Sequence, residues 1–382
     1  LNWHRIREAA GSVRGESLLL LNSLVDVNSY SANAEGVNRV GDMVIESLPA
    51  LLDRRFFTDG SGVRHHVISN PAAGKSLILM IGHLDTVYPM GTRHRSFERV
   101  GGRILGPGTA DMKGGVVVMI QALRVLDELG YLDEIPVKCL FNGDEETGSA
   151  FSSKLLAELV QGVSFGLVFE SGGLGGEIVT QRRGVARYEL SVSGQAGHAG
   201  HVDGPKASAV AELAHKILAL EDLNDRETGI AVNVGTVGGG TATNVVPDHA
   251  SANFEIRFWD KESGEKVDKR LREIIGRPEI PGCELSLKEI HRSPCMVPAG
   301  ETENLVKIVQ AAAAELGQKV QTEKRGGASD GNFLSEMGIP VVDGLGPVGD
   351  LDHSPDEYIV EQSLYDRIDL TALLLCRLAG IE

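Results

Sequence analysis

Three apolar runs of strand length each deliver an acid or a histidine at their carboxyl end. Ser76-Leu77-Ile78-Leu79-Met80-Ile81-Gly82 stops at His83, Val137–Asn142 stops just before Asp144-Glu145-Glu146, and Phe165–Phe169 stops at Glu170. A run without polar alternation suits a strand buried on both faces, as inside an α/β sheet covered by helices. Open α/β sheets bind ligands at the carboxyl edge of their strands. The chain therefore reads as an α/β fold with its polar site at that edge. Helices are expected over residues 3–24 and 36–52, where apolar residues recur at three- and four-residue spacing. Lys113–Leu129 and Ser152–Leu159 also read as helices.

The pattern changes near Gly184. Arg187–Val192 alternates like a half-exposed strand, and Lys206–Leu220 reads as a helix. Strands Ile230–Val237 and Ser251–Phe258, helix Glu265–Ile275 and strand Glu284–Ile290 follow. That β-α-β-β-α-β order describes a ferredoxin-like α+β module. The first pattern then resumes with a helix over 304–316, a short strand Pro340–Asp343 and a closing helix Ser363–Leu378. The economical organisation is one α/β domain built from residues 1–183 and 296–382, with an inserted domain over 184–295. The length of 382 residues agrees with two domains, since single cores rarely grow past roughly 250–300 residues.

The net charge of −16 argues against nucleic acid or an anionic membrane surface as the main partner. No apolar run approaches the ~20 residues needed to span a bilayer. Cys139, Cys283, Cys295 and Cys376 are scattered without a C-x-x-C pair, so free thiols in a reducing compartment are expected. A cytoplasmic location is expected, with a removed leader left open because the chain starts at Leu1. Ala73-Gly74-Lys75-Ser76 resembles half a phosphate loop, but Ser69 stands where that loop needs glycine, and a strand follows instead of preceding it. The absence of Gly-x-Ser-x-Gly argues against a serine hydrolase. Arg182-Arg183 reads as a water-facing pair, and Arg292 stays open between substrate and solvent.

The acids and histidines fall in five segments. They are Gly82-His83-Leu84-Asp85-Thr86-Val87, Gly108-Thr109-Ala110-Asp111-Met112-Lys113-Gly114-Gly115, Asp144-Glu145-Glu146-Thr147-Gly148, Phe169-Glu170-Ser171 and Asp352-His353-Ser354-Pro355-Asp356-Glu357. Taken singly, an Asp before a helix is commonly an N-cap and a Glu pair a solvated face. Taken together, they suit a pair of divalent ions. His83 and Asp85, two apart at a strand end, point the same way, so one can ligate while the other orients it. Adjacent Glu145 and Glu146 point apart, so one can ligate while the other faces the substrate. His83 and Glu170 would serve one ion and Glu146 and His353 the other, with Asp111 shared. Two such ions would lower the pKa of a bridging water and polarise a scissile carbonyl. Zn²⁺ suits these ligands, and Co²⁺ or Mn²⁺ could occupy them.

Gly-His-Leu-Asp-Thr-Val, Gly-Pro-Gly-Thr-Ala-Asp-Met-Lys-Gly-Gly and Asp-Glu-Glu-Thr-Gly-Ser together resemble the M20 family of co-catalytic zinc metallopeptidases. The chain looks most like the glutamate carboxypeptidase (carboxypeptidase G2-like) branch. The resemblance implies a zinc-peptidase catalytic domain with a mixed central sheet and an inserted ferredoxin-like dimerisation and lid domain. It implies His83, Asp111, Glu146, Glu170 and His353 as ligands of two zinc ions, with Asp111 bridging. It implies Glu145 as general base and acid, Asp85 as the orienter of His83, and a cis peptide after Asp111.

Further matches lie in the inserted domain and beside it. Gly197-His198-Ala199-Gly200 is similar to the family's Ser-His-Ala-Gly segment, with Gly197 in place of serine. There the histidine enters the partner subunit's site, which implies a homodimer. His198 is preferred over the neighbouring His201. Thr243-Asn244-Val245-Val246-Pro247 and Glu255-Ile256-Arg257 match segments whose Asn244 and Arg257 would hold the substrate and its carboxylate. Gly326-Gly327-Ala328-Ser329-Asp330 is similar to a Gly-Gly-Gly-Thr-Asp loop near the substrate, which brings in Gly327. The implied activity is release of a C-terminal amino acid, glutamate among the candidates, from a peptide or N-acyl amino acid. The alternative is an N-acyl-amino-acid deacylase of the same fold. A non-catalytic binding protein would be favoured by loss of Glu145 or a ligand, and none is lost.

Overall fold

Leu77–His83 lies between Val137–Asn142 and Val163–Val168, parallel to both, with its interior fully buried. The computed structural model describes residues 3–70, 77–91, 96–200 and 204–381. Ser76, the half phosphate loop at 73–76 and the alternative His201 lie outside the described residues. The six-stranded order is Asp53–Thr58, Arg64–Ser69, Val137–Asn142, Leu77–His83, Val163–Val168, Val341–Val342. The first two strands join antiparallel and the rest parallel, so the sheet is mixed. Three neighbouring parallel strands must end at one edge. In register, His83 pairs with Asn142, and Ile81 with Val168. His83, the Asp144–Glu146 turn and Glu170 therefore emerge side by side.

Helices cover the sheet. Gly114–Glu128 and Glu361–Leu378 are buried along most of their lengths, which explains their weak polar periodicity. The stretch expected as one helix over 3–24 is two, Trp3–Ser12 and Arg14–Val25. Gly11 and Gly15 flank the break, and glycine favours helix interiors least among residues other than proline. The helix expected to run to residue 52 is Ala34–Ser47, capped by the Asn33 side chain and ending before Pro49. The residue before a proline is disfavoured in helical backbone, which explains the early stop.

Several short strands escape the period-based reading. Glu98–Val100, Arg103–Leu105, Tyr358–Val360 and Gly349–Asp350 form a small sheet. Its pairing of Tyr358 with Leu105 carries the loop after His353 to the loop before Asp111.

The chain divides into two compact units. One comprises Leu1–Thr180, Pro298–Arg325 and Ser329–Glu382, and the other Gln181–Val297 with Gly326–Ala328. In the second, four antiparallel strands run in the order Ala231–Gly239, His249–Phe258, Gly184–Ser193, Glu284–Ser293. Helices Ala209–Glu221 and Lys261–Ile275 complete the β-α-β-β-α-β order. Ala186, Tyr188, Leu190 and Val192 are buried, whereas Arg187 between them is exposed. That period of two builds a core separate from the first unit's.

Gly115 fixes how closely the Gly114–Glu128 helix approaches the exit of the Glu170 strand. A Cβ there would collide with the Phe169 backbone carbonyl, a group that cannot rotate away. Gly115→Ala should lower the stability of the folded protein by about 1–3 kcal/mol, read from urea unfolding. Gly11→Ala, where open space surrounds the Cβ, should not lower it.

Candidate metal centre

The His83 side chain is fully buried, so each ring nitrogen needs a partner. Its Nδ1 lies 3.0 Å from the Asp85 carbonyl and 3.5 Å from Asp85 Oδ1. A proton on Nδ1 serves that carbonyl and leaves the Nε2 lone pair for a ligand. Nε2 faces Asp111 Oδ1 at 2.8 Å and Glu170 Oε1 at 3.6 Å. The other Asp111 oxygen, Oδ2, lies 3.1 Å from His353 Nε2, which is 3.3 Å from Glu146 Oε2. The two oxygens of one carboxylate thus face two separate histidine–carboxylate pairs. The Asp111–Met112 peptide is cis.

The donor atoms of His83, Asp111 and Glu170 fall within 4.8 Å of one another. Asp111, His353 and Asp352 form a second such group. Asp352 belongs to a quoted motif but carried no expected role.

Charge concentrates here. Burial opposes a proton on His83, but hydrogen bonds to Asp111 and Asp85 and the nearby Glu170 hold its pKa well above the ordinary value. Hydrogen bonds to Asp111 and Glu146 raise His353 to about 11. Burial pushes Glu146 up to about 7, with Asp111 adding to the shift. Burial also raises Glu145, and Glu170, Asp330 and Glu146 repel its charge further. Glu146 Oε1 is buried without a hydrogen-bond partner. An orphaned carboxylate oxygen beside two imidazoles, with oxygen and nitrogen donors facing a shared carboxylate, fits two divalent ions.

Surrounding groups hold these side chains. Asp85 Oδ2 accepts from Ser31 Oγ at 2.8 Å and from the Glu146 backbone N–H at 3.3 Å. The residue that orients His83 therefore also ties down the Glu145–Thr147 turn. Asp330, expected in a loop near the substrate, is buried and accepts from Ser149 Oγ at 2.6 Å and Asn142 Nδ2 at 2.8 Å. It anchors the same turn from below. Glu357 was missed as a site residue, although its motif was quoted. Its buried carboxylate accepts from the backbone N–H groups of Gly108, Ala110 and Asp111. Only the folded chain brings those partners together.

The remaining expected site residues lie in the second unit, in two pairs. His198 and Asn244 are exposed, and Gly197-His198 pairs with Val245-Val246, with the Ala199 N–H donating to the Asn244 carbonyl at 3.0 Å. Arg257 Nη1 donates to the Gly326 carbonyl at 2.8 Å, and its Nε to Glu255 Oε1 at 2.7 Å. Exposed Gly327 accepts from Arg182 Nη1 at 3.1 Å. Arg182 is buried, contrary to the water-facing expectation, because that carbonyl satisfies it. Arg183 stacks over Trp259 at 4.7 Å. Arg292 is tied to Asp268, Glu289 and Tyr188, which removes it from the open choice between substrate and solvent.

The model of Peptidase family M20/M25/M40 matches residues 79–377. The chain is 28% identical to "Carboxypeptidase G2" of Pseudomonas sp. (strain RS-16) over 98% of its own length and 92% of that protein's. It is 30% identical to a "Succinyl-diaminopimelate desuccinylase" of Gluconacetobacter diazotrophicus over 78% of its length and 80% of that protein's. Its fold matches the crystal structure of a Bacillus subtilis M20 family protein described as a dinuclear metal binding peptidase. The TM-score is 0.69 at 17% identity, covering 97% of this chain and 99% of that one. With the match spanning most of both compact units, the chain belongs to peptidase family M20/M25/M40 and is a hydrolase.

Proposed function

We propose that this hydrolase cleaves an amide bond to release a C-terminal amino acid, glutamate among the candidates, from a peptide or N-acyl amino acid. The observation that carries the reading is Asp111, whose two oxygens face His83 and His353 at 2.8 and 3.1 Å. In this reading His83, Asp111 and Glu170 hold one Zn²⁺, and His353, Asp111 and Glu146 the other. Bound ions would polarise the scissile carbonyl and ease deprotonation of water. Asp85 fixes the His83 tautomer through its carbonyl. Glu145 takes the proton of the attacking water and delivers it to the leaving amine. Burial and the neighbouring carboxylates raise its pKa, which favours holding that proton.

Arg257 and Asn244 are assigned to the substrate's terminal carboxylate, Gly327 to the neighbouring loop, and His198 to the reacting carbonyl. The His198 role requires a homodimer. Domains are proposed at residues 1–183 with 296–382, and at 184–295. Among the described residues no helix is long and apolar enough to cross a membrane. The four cysteines are free, which supports the proposed cytoplasmic location. A second reading, N-acyl-amino-acid deacylation, is favoured by the 30% identity to a protein named for desuccinylation. It uses the same residues and changes only the acyl group accepted.

The deciding assay is amide hydrolysis on peptides and N-aroyl compounds ending in Glu, Ala or Arg, beside N-acetyl and N-succinyl amino acids. Preference for C-terminal Glu is expected; preference for small acyl groups would move the protein to the second reading. Glu145→Gln should lower kcat by about 10²–10⁴-fold while leaving metal content unchanged. Unchanged turnover would sink the proton-transfer role. Arg257→Ala should raise KM by roughly 10- to 100-fold for substrates with a free terminal carboxylate. Methyl esterification of that carboxylate should remove the difference.

A chelator should abolish turnover, and added Zn²⁺ restore it. The neighbouring carboxylates raise the pKa of both histidines, and an imidazole must shed its proton to ligate. Zinc affinity should therefore rise with pH, with net release of protons on binding. Calorimetry in buffers of different ionisation enthalpy measures that release, and zero net release would contradict the ligand set.

A further inference from the structure

A buried loop with free N–H groups needs acceptors, and the loop entering Asp111 has them in one side chain. Glu357 Oε1 accepts from the Ala110 N–H at 2.7 Å and the Asp111 N–H at 3.0 Å. Its Oε2 accepts from the Gly108 N–H at 2.9 Å and the Tyr88 hydroxyl at 2.7 Å. A carboxylate offers about four acceptor positions, and this one meets four donors. Glutamine in its place would turn an NH₂ group towards two of them.

The same residue ends the loop that carries His353. The Tyr88 hydroxyl lies 3.0 Å from the Ser354 carbonyl, and the Glu357 N–H donates to that carbonyl at 3.2 Å. His353 and Leu351 adopt left-handed backbone, at φ 60° and 62°, which residues other than glycine seldom do without support. Asp111 and Ser354, the residue after His353, are therefore the two ends of one hydrogen-bonded assembly with Glu357 at its centre.

We infer that Glu357 is a positioning residue of the metal centre, whose carboxylate sets the spacing and orientation of Asp111 against His353. Tyr88 locks that carboxylate. The inference rests on the proposed reading of Asp111 and His353 as ligands. Groups that orient ligands in this way commonly govern metal affinity by about 10–100-fold.

The test uses the full chain, stripped with chelator and titrated with Zn²⁺ against a chromophoric competitor. Co²⁺ titration is followed by visible absorption. Circular dichroism and urea unfolding check the fold of each variant. Glu357→Gln should bind zinc at least about 10-fold more weakly and change the cobalt spectrum. Glu357→Asp keeps the charge but is too short to meet all four donors, and it should weaken binding comparably. Wild-type affinity in the Asp variant would mean that charge alone matters, and would overturn positioning. Folded Glu357→Gln with wild-type affinity and spectrum would also overturn it.

If the Glu357 variants fail to fold, Tyr88→Phe decides: weaker zinc binding supports the inference and wild-type binding overturns it. Asp111→Asn separates the two levels. If it binds both ions normally, the ligand reading itself fails. If it loses metal while the Glu357 variants do not, only the positioning role fails.

Discussion

A carboxylate placed between two imidazoles and beside two further carboxylates is stable only when every neighbour is held. Asp111 occupies that position, and much of the first unit serves to keep it there. Its backbone N–H is held by Glu357, and its oxygens face His83 and His353. The helix that follows starts at Gly114 and is pressed against the Glu170 strand by the absence of a side chain at Gly115. Lys113, buried next to this point, sends its Nζ to the carbonyls of Leu24 and Val27, so even this amine supports the turn instead of facing solvent.

The sheet supplies the other half of the constraint. Parallel strands in register end at one edge, so residues far apart in the chain become neighbours without any specific attraction between them. Carboxylates crowded at that edge are also buried, and burial first, with repulsion from neighbouring carboxylates second, raises the pKa of Glu145 and Glu146. Burial that raises a carboxylate's pKa is a cost to folding unless positive charge arrives. The arrangement is thus strained towards cation binding, which is the physical sense in which the residues suit a member of a metal-dependent hydrolase family.

The second unit is organised on different principles. Its sheet is antiparallel, its strands alternate, and its core is its own. The segments expected to meet substrate are grouped there, His198 beside Asn244 by backbone pairing and Arg257 against Gly326 by a side-chain hydrogen bond. Arg257 is partly committed to Glu255, so a substrate carboxylate would compete with an internal partner for that guanidinium.

Sequence alone determined the strand-end acids, the family and the α+β pattern of the middle segment, because hydrophobic period and short motifs are local properties. His83, Asp111, Glu146, Glu170 and His353 were all named from it, and the folded first unit brings them together. It left out the short strands at 98–105 and 349–360, which are too brief for any period to emerge. It also left Glu357, Asp330 and Arg182 without their partners. Those partners are backbone groups or side chains 145 to 269 residues away, and no local pattern encodes which carbonyl or N–H a buried charge will meet. Only the tertiary structure decides that, because satisfying a buried polar group depends on everything packed around it.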